Sequence, residues 1–387
     1  MLKKVTLALI IAILAFNTLA FASSHDRSMD IFSDIHTYNE YVSRINNIME
    51  SCEWREMSRE ERIAATQLTQ DEISRMSTET LLRASLSAPF LLDIFHFNCF
   101  RRGFEVVLSQ NPGLQELSLR SDLVYAFAYL YEDTANETQR RFSQYTAHTK
   151  PGSVLLLPIM EMIIAQPEMQ HFVTADQATN LVELFVERRI QDVEESVSSS
   201  FFFDIVEQSD GDSVFCDAVT NIQSRSSHVA TMFDNGAPPG SFSTTIQTPR
   251  RSAVIAWNTS NVVDWSPEDR RMWREILAWE HPRVTIVRDA SLRFNCHSYA
   301  FHSTAGANIW LLGRDIRPFF TDGSFVNPGV ALNGDVMEWV QSDHSGIIAS
   351  FSSQGIMVVS KWGMGPLIRS CCHDTPYFGT TRFWRRQ

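Results

Sequence analysis

The stretch "SLRFNCHSYAFH", Ser291 to His302, decides how the C-terminal part of this chain is interpreted. It places Cys296 directly after the strand-like run "TIVRD" and at the predicted start of a short helix, where Asn295 is of a residue type that caps helices. The unpaired amides and the dipole of a helix N-terminus lower the pKa of a thiol there. Cys296 is therefore a candidate nucleophile, while a metal ligand, a disulfide partner and a small core residue remain open.

A cysteine hydrolase needs a general base close to the thiol and usually a third polar group that holds the base. His297 and His302 are nearest in sequence. Neighbours on a helix diverge by about 100 degrees, so we expect the ring of His297 to point away from the sulfur, and His302 lies nearly two turns further on. His344 opens the predicted strand "HSGIIASF", which can lay it across a sheet from the helix start. We therefore predict that Cys296 and His344 form the catalytic pair.

The group that orients the base is expected on the next strand, "GIMVVSKWG". A period of two puts Ser360 on one face of this strand and Lys361 on the other. A hydroxyl accepts an imidazole N–H and an ammonium does not, so Ser360 is the predicted third catalytic residue and Lys361 the alternative. Trp362 shares the face of Ser360, and its indole is the best candidate for the floor of a substrate groove, with a core position as the alternative.

The chain as a whole predicts two domains, because 387 residues exceed what one core usually holds. From about Met29 to Glu195 apolar residues recur three and four apart, and capping boxes open at Thr69 and Thr174. After a segment rich in Ser, Asp, Gly, Thr and Pro, a helix in "SPEDRRMWREILAW" precedes short β-like runs typical of antiparallel pairing. We predict an α+β chain with a signal peptide (1–22), an all-α helical domain (23–196), a connector (197–251) and an α+β domain with an antiparallel sheet (252–387).

The N-terminus has the layout of a secretory signal peptide, with Lys3 and Lys4, an apolar run and the triplet Ala20-Phe21-Ala22. We expect cleavage after Ala22 and a secreted or periplasmic protein without stable membrane insertion; an uncleaved anchor is the alternative. The formal net charge is −12, and the chain has no long basic run. This acidic balance argues against nucleic acid as a partner.

The order of these motifs resembles the papain-like bacterial cell-wall hydrolases of the NlpC and CHAP type. Those families place a cysteine at a helix start, a Gly-Asp strand, a histidine that opens the next strand and a polar residue one strand later. This chain has "FNCHSYAF", "GDVMEW" and "HSGII" in that order, although "NCHS" replaces the usual "DCSG". The tail "SKWGMGPLIRSCCHDTPY" and the segments from Met76 to Val107 and from Gly113 to Leu123 are similar to a secreted group of that superfamily with an N-terminal helical domain.

The resemblance implies a papain-like fold for the C-terminal domain and a peptidoglycan stem peptide as substrate. The expected reaction is hydrolysis of an amide bond through a thioester, with Cys296 as nucleophile, His344 as base and then acid, Ser360 as orienting residue and Trp362 in substrate binding. Backbone amides at the helix start would stabilise the oxyanion.

We expect no cofactor and no metal ion, because adjacent Cys371 and Cys372 cannot readily share one tetrahedral ion and no C-x-x-C spacing is present. His96 and Cys99 in "FHFNCF" are expected to be core residues. Two alternatives stay open. One is a non-catalytic papain-like binding or effector protein. The other is a structural domain stapled by a disulfide from Cys296 to Cys371 or Cys372.

Overall fold

The computed structural model describes residues 28–144, 153–192, 213–225, 237–238 and 240–387. The predicted signal peptide at 1–22 lies outside the described residues. Helices and antiparallel sheets are both present, so the predicted α+β class is confirmed. Within the described ranges, no helix combines the length and the apolar character that a bilayer span requires. The chain divides into two compact units, and residues 92–106 belong to the second one.

The first unit is helical. Thr69 and Thr174 open their helices as predicted: the side chain of Thr69 accepts from the amide of Glu72, and that of Thr174 accepts from the amide of Gln177. The helices of this unit are Ser28–Glu50, Glu53–Glu56, Arg59–Thr66, Gln70–Arg75, Thr78–Leu86, Pro112–Leu117, Leu123–Gln144, Ser153–Ile164, Ala175–Asp192 and Cys216–Arg225, with a 3-10 turn at Pro167–Met169. The helix Phe100–Gln110 and the 3-10 turn Leu91–His96 cross the boundary between the units.

The second unit carries the sheets. Its helical pieces after residue 240 are Pro267–Glu280, a π-helical turn at Ser298–His302, a 3-10 turn at Gly313–Asp315 and Arg317–Thr321. Its strands are β1 (Phe242–Gln247), β2 (Ala253–Asn258), β3 (Thr285–Arg288), β4 (Ile309–Trp310), β5 (Phe325–Val326), β6 (Val336–Trp339), β7 (His344–Ser352), β8 (Gly355–Lys361), β9 (Leu367–Cys371) and β10 (Thr381–Arg386).

Two antiparallel sheets organise these strands. In the larger one the order is β3-β9-β8-β7-β6-β10-β5, and in the smaller one it is β1-β2-β4. The predicted strands "GDVMEW", "HSGIIASF" and "GIMVVSKWG" are β6, β7 and β8, and they pair consecutively as expected. Because β7 begins at His344, opposite Trp339 at the end of β6, this histidine lies at one end of the sheet.

The predicted boundary between the connector and the second domain, at residue 251, is misplaced. Strand β1 lies within the predicted connector, yet it pairs along its whole length with β2 on the other side of that boundary. Its residues are mostly exposed or half-buried, so the apolar alternation that marks a strand is weak there. The helix Cys216–Arg225 also falls inside the predicted connector.

Residues 92–106 are held in the second unit by the turn that follows β8. The amide of Met364 donates to the carbonyl of Phe95 at 3.0 Å, and the hydroxyl of Tyr377 donates to the carbonyl of His96 at 2.8 Å. Gly363 has a φ of 49°, and a Cβ at this position would collide with the carbonyl of Phe95 and the backbone of His96. The close approach of the two backbones therefore requires glycine.

We predict that Gly363→Ala lowers the free energy of unfolding by about 2–4 kcal/mol. The alanine would be strained in a left-handed conformation, and its Cβ would overlap the backbone at Phe95. Gly329→Ala is the matched control. Its φ is 70°, but no atom lies within 4 Å of the added Cβ, so about 1 kcal/mol is expected. Urea unfolding followed by tryptophan fluorescence measures both, since eight of the nine tryptophans lie between Trp257 and Trp384. Equal losses would show that the approach of Phe95 imposes no constraint.

Candidate functional site

Cys296 begins the short helical segment that ends in the π-helical turn Ser298–His302. The side-chain oxygen of Asn295 accepts from the amide of Ser298 at 3.1 Å, so the predicted helix cap is confirmed. The other end of the segment is fixed by Phe301, which packs against Phe319 and Phe325 in the core. The sulfur of Cys296 is consequently held in place, and it is fully buried.

The start of β7 brings three polar side chains to this helix. Asp343 has a φ of 47°, a left-handed conformation that turns the chain immediately before His344 and Ser345. Gly313 leaves room for the Asp343 side chain, because a Cβ at residue 313 would overlap its carboxylate. The strained turn and the missing Cβ thus fix where the carboxylate lies.

His297 lies between two of these side chains. Its Nε2 is 3.1 Å from Oδ1 of Asp343, and its Nδ1 is 2.9 Å from Oγ of Ser345. The ring is also close enough to the sulfur of Cys296 for each group to shift the pKa of the other. The prediction that the His297 ring points away from the sulfur is therefore wrong. The rule on helical neighbours concerns the direction of the Cα–Cβ bonds, whereas Asp343 and Ser345 turn the imidazole back towards the start of the strand.

The charged groups at this site stabilise one another. Burial alone would raise the pKa of the Cys296 thiol, but the charges of His297 and His344, and hydrogen bonds from both, hold that pKa well below its ordinary value. Burial likewise disfavours the charged form of His297, yet Cys296 and Asp343 raise its pKa well above the usual range. Burial would also raise the pKa of Asp343, and the adjacent His297 lowers it. The arrangement favours a thiolate next to an imidazolium.

His344, the predicted base, contacts the same sulfur. Its ring stacks on Tyr377 with centroids 3.4 Å apart, and Trp339 packs beside it at 5.5 Å. Burial lowers the pKa of His344, so the ring is neutral at neutral pH and able to accept a proton. Its Nε2 makes no hydrogen bond within the described part of the chain.

Ser360 does not have the contact predicted for an orienting residue. Among the described residues its Oγ has no hydrogen-bond partner, although the side chain is fully buried. The reason is position along the strand, because Ser360 packs beside Gly346, two residues beyond His344. Strand alternation predicts the face of a side chain but not its distance from a given neighbour. Aromatic contacts with Tyr377 and Trp339, rather than a hydroxyl, fix the ring of His344.

Trp362 is fully buried, so it cannot form the floor of an open groove as predicted. Its ring lies 4.9 Å from His96, 5.0 Å from His281 and 6.0 Å from Tyr377, measured between centroids. The turn after β8 folds the indole into this aromatic layer. The alternative interpretation of Trp362 as a core residue is therefore the correct one.

Lys361, the alternative third residue, is also fully buried and has a structural position. Its Nζ donates to the carbonyls of Ser291, Gly363 and Gly365 at 2.6–2.8 Å and lies 5.3 Å above the ring of Phe294. It therefore joins the segment before Cys296 to the turn after β8. Burial lowers the pKa of Lys361 to about 7, against the attraction of Asp264 and Cys296.

Asn98 is the residue that sequence reasoning missed. Its Nδ2 lies 3.0 Å from the sulfur of Cys296 and donates to the carbonyl of Asp343 at 2.9 Å. Its side-chain oxygen accepts from Asn295 at 3.3 Å. The surrounding motif "FHFNCF" is rich in aromatic residues and indicated only a position in the core. No sequence pattern links it to a cysteine 198 residues later.

A second polar cluster lies in the same unit. Oδ1 of Asp93 is 2.9 Å from Nδ1 of His96 and 3.1 Å from Nε2 of His281, and all three side chains are buried. These ligand types could hold a metal ion. The two short distances to one carboxylate oxygen are those of hydrogen bonds, since ligands of a tetrahedral zinc ion at about 2.0–2.1 Å stand about 3.3 Å apart. We interpret the cluster as a buried hydrogen-bonded support.

All six cysteines lie within the described residues, and each is a free thiol. The disulfide from Cys296 to Cys371 or Cys372 that the sequence left open is therefore not formed in this structure. Cys371 instead contacts the carbonyl of Gln354.

Comparison of the chain with protein-family models, curated proteins and solved structures finds no match. The chemistry of the site must therefore be derived from the geometry. Nucleophilic catalysis by cysteine uses a thiol of lowered pKa next to a base, and this site contains both kinds of group.

We predict that Lys361 makes the stability of the protein rise with pH. The unfolded chain keeps the ordinary lysine pKa near 10.4, so between pH 7 and 10 it binds a proton that the folded protein has released. The free energy of unfolding of the wild type minus that of Lys361→Met should therefore increase across this pH range. The expected slope is up to about 1.4 kcal/mol per pH unit. Urea unfolding at each pH measures it, and a flat difference would contradict the prediction. The other lysines are Lys3, Lys4 and Lys150, outside the described residues.

Proposed function

We propose that the protein is a cysteine hydrolase that cleaves amide bonds through a thioester on Cys296. The observation that carries this proposal is a buried thiol with polar groups at its sulfur: Nδ2 of Asn98 lies 3.0 Å from it, and His297 and His344 hold the pKa of Cys296 well below its ordinary value. A structural cysteine in an apolar core would have the opposite shift, because burial alone raises the pKa.

The first half of the reaction forms the thioester. His344, a neutral imidazole, takes the proton that the Cys296 thiol gives up on ionising, and the sulfur attacks the carbonyl carbon as the thiolate that the His297 imidazolium stabilises. The carbon–nitrogen bond then breaks, and the amine leaves with the proton from His344. In the second half His344 removes a proton from water, the oxygen attacks the thioester, and the carbon–sulfur bond breaks to release the acid and the thiol.

His297 acts by its charge in this scheme. Both of its ring nitrogens are engaged, one by Asp343 and one by Ser345, so the ring is held as an imidazolium beside the sulfur. A fixed positive charge in a buried site stabilises the thiolate without any reorganisation during the reaction. The orienting role that the sequence assigned to Ser360 passes to Tyr377, which stacks on His344.

A papain-like fold for the second unit is part of the proposal. It is supported by the order of a cysteine at a helix start, strand β6, a histidine at the start of β7 and a further strand β8. The resemblance to NlpC- and CHAP-type hydrolases supports a peptide of peptidoglycan as the substrate. Export, with cleavage of the signal peptide after Ala22, is also part of the proposal.

A non-catalytic binding or effector protein is the second candidate, and one observation favours it. Cys296 has no exposed surface, whereas a nucleophile must meet its substrate. In that case the thiolate and imidazolium would serve as a buried ion pair, and binding would not depend on the sulfur.

Replacing Cys296 with serine should lower hydrolysis of purified sacculi at least about a thousandfold, because an alcohol next to these imidazoles is a far weaker nucleophile than a thiolate. The release of new amino groups measures the reaction. Cys52→Ser, an exposed thiol in the first unit, is the matched control and should retain full activity.

Equal activity in Cys296→Ser and the wild type would exclude the thioester route. Absence of hydrolysis in the wild type, together with binding to sacculi by both proteins, would support the binding candidate instead.

A further inference from the structure

The cover over the nucleophile comes from the segment between the turn Leu91–His96 and the helix Phe100–Gln110. Asn98 occupies this segment, and its amide nitrogen contacts the sulfur of Cys296 and the carbonyl of Asp343 at once. The carbonyl of Asp343 directly precedes the amide of His344. One amide group thus connects the nucleophile to the strand end that carries the base.

The exposure of the residues around the sulfur identifies the way in from solvent. His297 and His344 are both fully buried, as is Cys296 itself. Asn98 is half-buried, and the next residue, Cys99, is exposed. Among the side chains that the structure shows in contact with the sulfur, Asn98 is the one that also reaches solvent.

The backbone of this segment is fixed, so access depends on the side chain of Asn98. The carbonyls of Phe95 and His96 accept from Met364 and Tyr377, and the ring of Phe97 packs against Tyr377 at 5.4 Å. Tyr377 in turn stacks on His344. A change of the Asn98 rotamer would break its contacts with Cys296, Asp343 and Asn295 but none of these anchors.

We propose that Asn98 is the gate and positioning residue of Cys296: its amide N–H donates to the sulfur in the closed state, and its side chain must swing away before an electrophile can reach that sulfur. The proposal rests on the proposed function in treating Cys296 as a nucleophile. The reactivity of a thiol towards a small alkylating agent is nevertheless measurable without any amide substrate.

Two effects of Asn98 are separable by substitution. A donor to the sulfur stabilises the thiolate over the thiol, so its removal raises the pH at which the thiol ionises. The bulk of the side chain limits access, so its removal raises the reaction rate of the thiolate once formed. Leucine has the branched shape of asparagine, is larger and has no N–H, whereas alanine lacks both the bulk and the donor.

The experiment is the pH dependence of iodoacetamide alkylation of Cys296 in the full chain. Cys296 is the only cysteine of the tryptic peptide 294–314, so mass spectrometry reports its modification separately from the other thiols. For Asn98→Ala we expect the midpoint to rise by about one pH unit and the plateau rate by about tenfold. For Asn98→Leu we expect the same rise in midpoint without the rise in plateau rate.

Asn327→Ala, on an exposed turn of the same unit, is the matched control and should leave both quantities unchanged. The titratable groups that act on the sulfur are His297, His344 and Lys361, with Asp343 acting through His297, and none is altered in these variants. If the variants melt at the same temperature as the wild type, a loss of overall stability is excluded as the cause of a change in midpoint or plateau rate.

Midpoints and plateau rates equal to those of the wild type in both Asn98 variants would overturn the proposal. A wild type that does not hydrolyse sacculi, but whose Asn98 variants show the expected thiol profiles, would contradict the proposed hydrolase and support the gate. A wild type that hydrolyses sacculi, with alkylation profiles of both Asn98 variants equal to that of the wild type, would support the hydrolase and contradict the gate.

Discussion

Neutralisation of charge in a buried space is the constraint on which the rest of the site depends. The sulfur of Cys296 and the ring of His297 have no exposed surface, and an isolated charge at such a position costs several kcal/mol. Each is stable as an ion only beside the other. Asp343 supplies the further negative charge that keeps the ring of His297 protonated, and its side chain, 47% exposed, is the partner that retains contact with water.

The backbone around the site follows from this constraint. Asp343 has a left-handed backbone conformation, which costs about 1 kcal/mol. Residue 313 is a glycine, so no Cβ occupies the space that the carboxylate fills next to His297. Without this carboxylate, the fully buried ring of His297 would lose one of the two negatively charged groups that keep it protonated. The strain of the turn is the cost of placing the carboxylate there.

Local patterns in the sequence predicted the parts of this arrangement that depend on local rules. The cap of Asn295, the helix Pro267–Glu280 and the consecutive strands β6, β7 and β8 are all encoded by residues near one another, and the structure contains them. The position of His344 at the start of a strand beside the cysteine helix followed from that order. The roles of Cys296 and His344 in catalysis stay predictions, since geometry supports them but only an assay tests them.

The errors concern distances that no local pattern fixes. Alternation along β8 gave the face of Ser360 correctly but not its separation from His344, and Trp362 is buried because the turn after β8 folds it inward. The ring of His297 is directed by Asp343 and Ser345, which lie more than forty residues away in sequence. Asn98 is 198 residues from Cys296, so its contact depends on the whole fold and has no signature in the motif around it.

A continuous series of buried contacts explains why the segment with Asn98 belongs to the site. Asp93 pairs with His96 and His281, and His281 follows the helix Pro267–Glu280, so the segment is anchored to that helix. The carbonyl of His96 then accepts from Tyr377, whose ring stacks on His344. Because the base and the residue that covers the nucleophile are positioned by the same short segment, a displacement of that segment would alter both together. Residues 92–106 are for this reason a component of the candidate site, although they precede the rest of it in the chain by more than 150 residues.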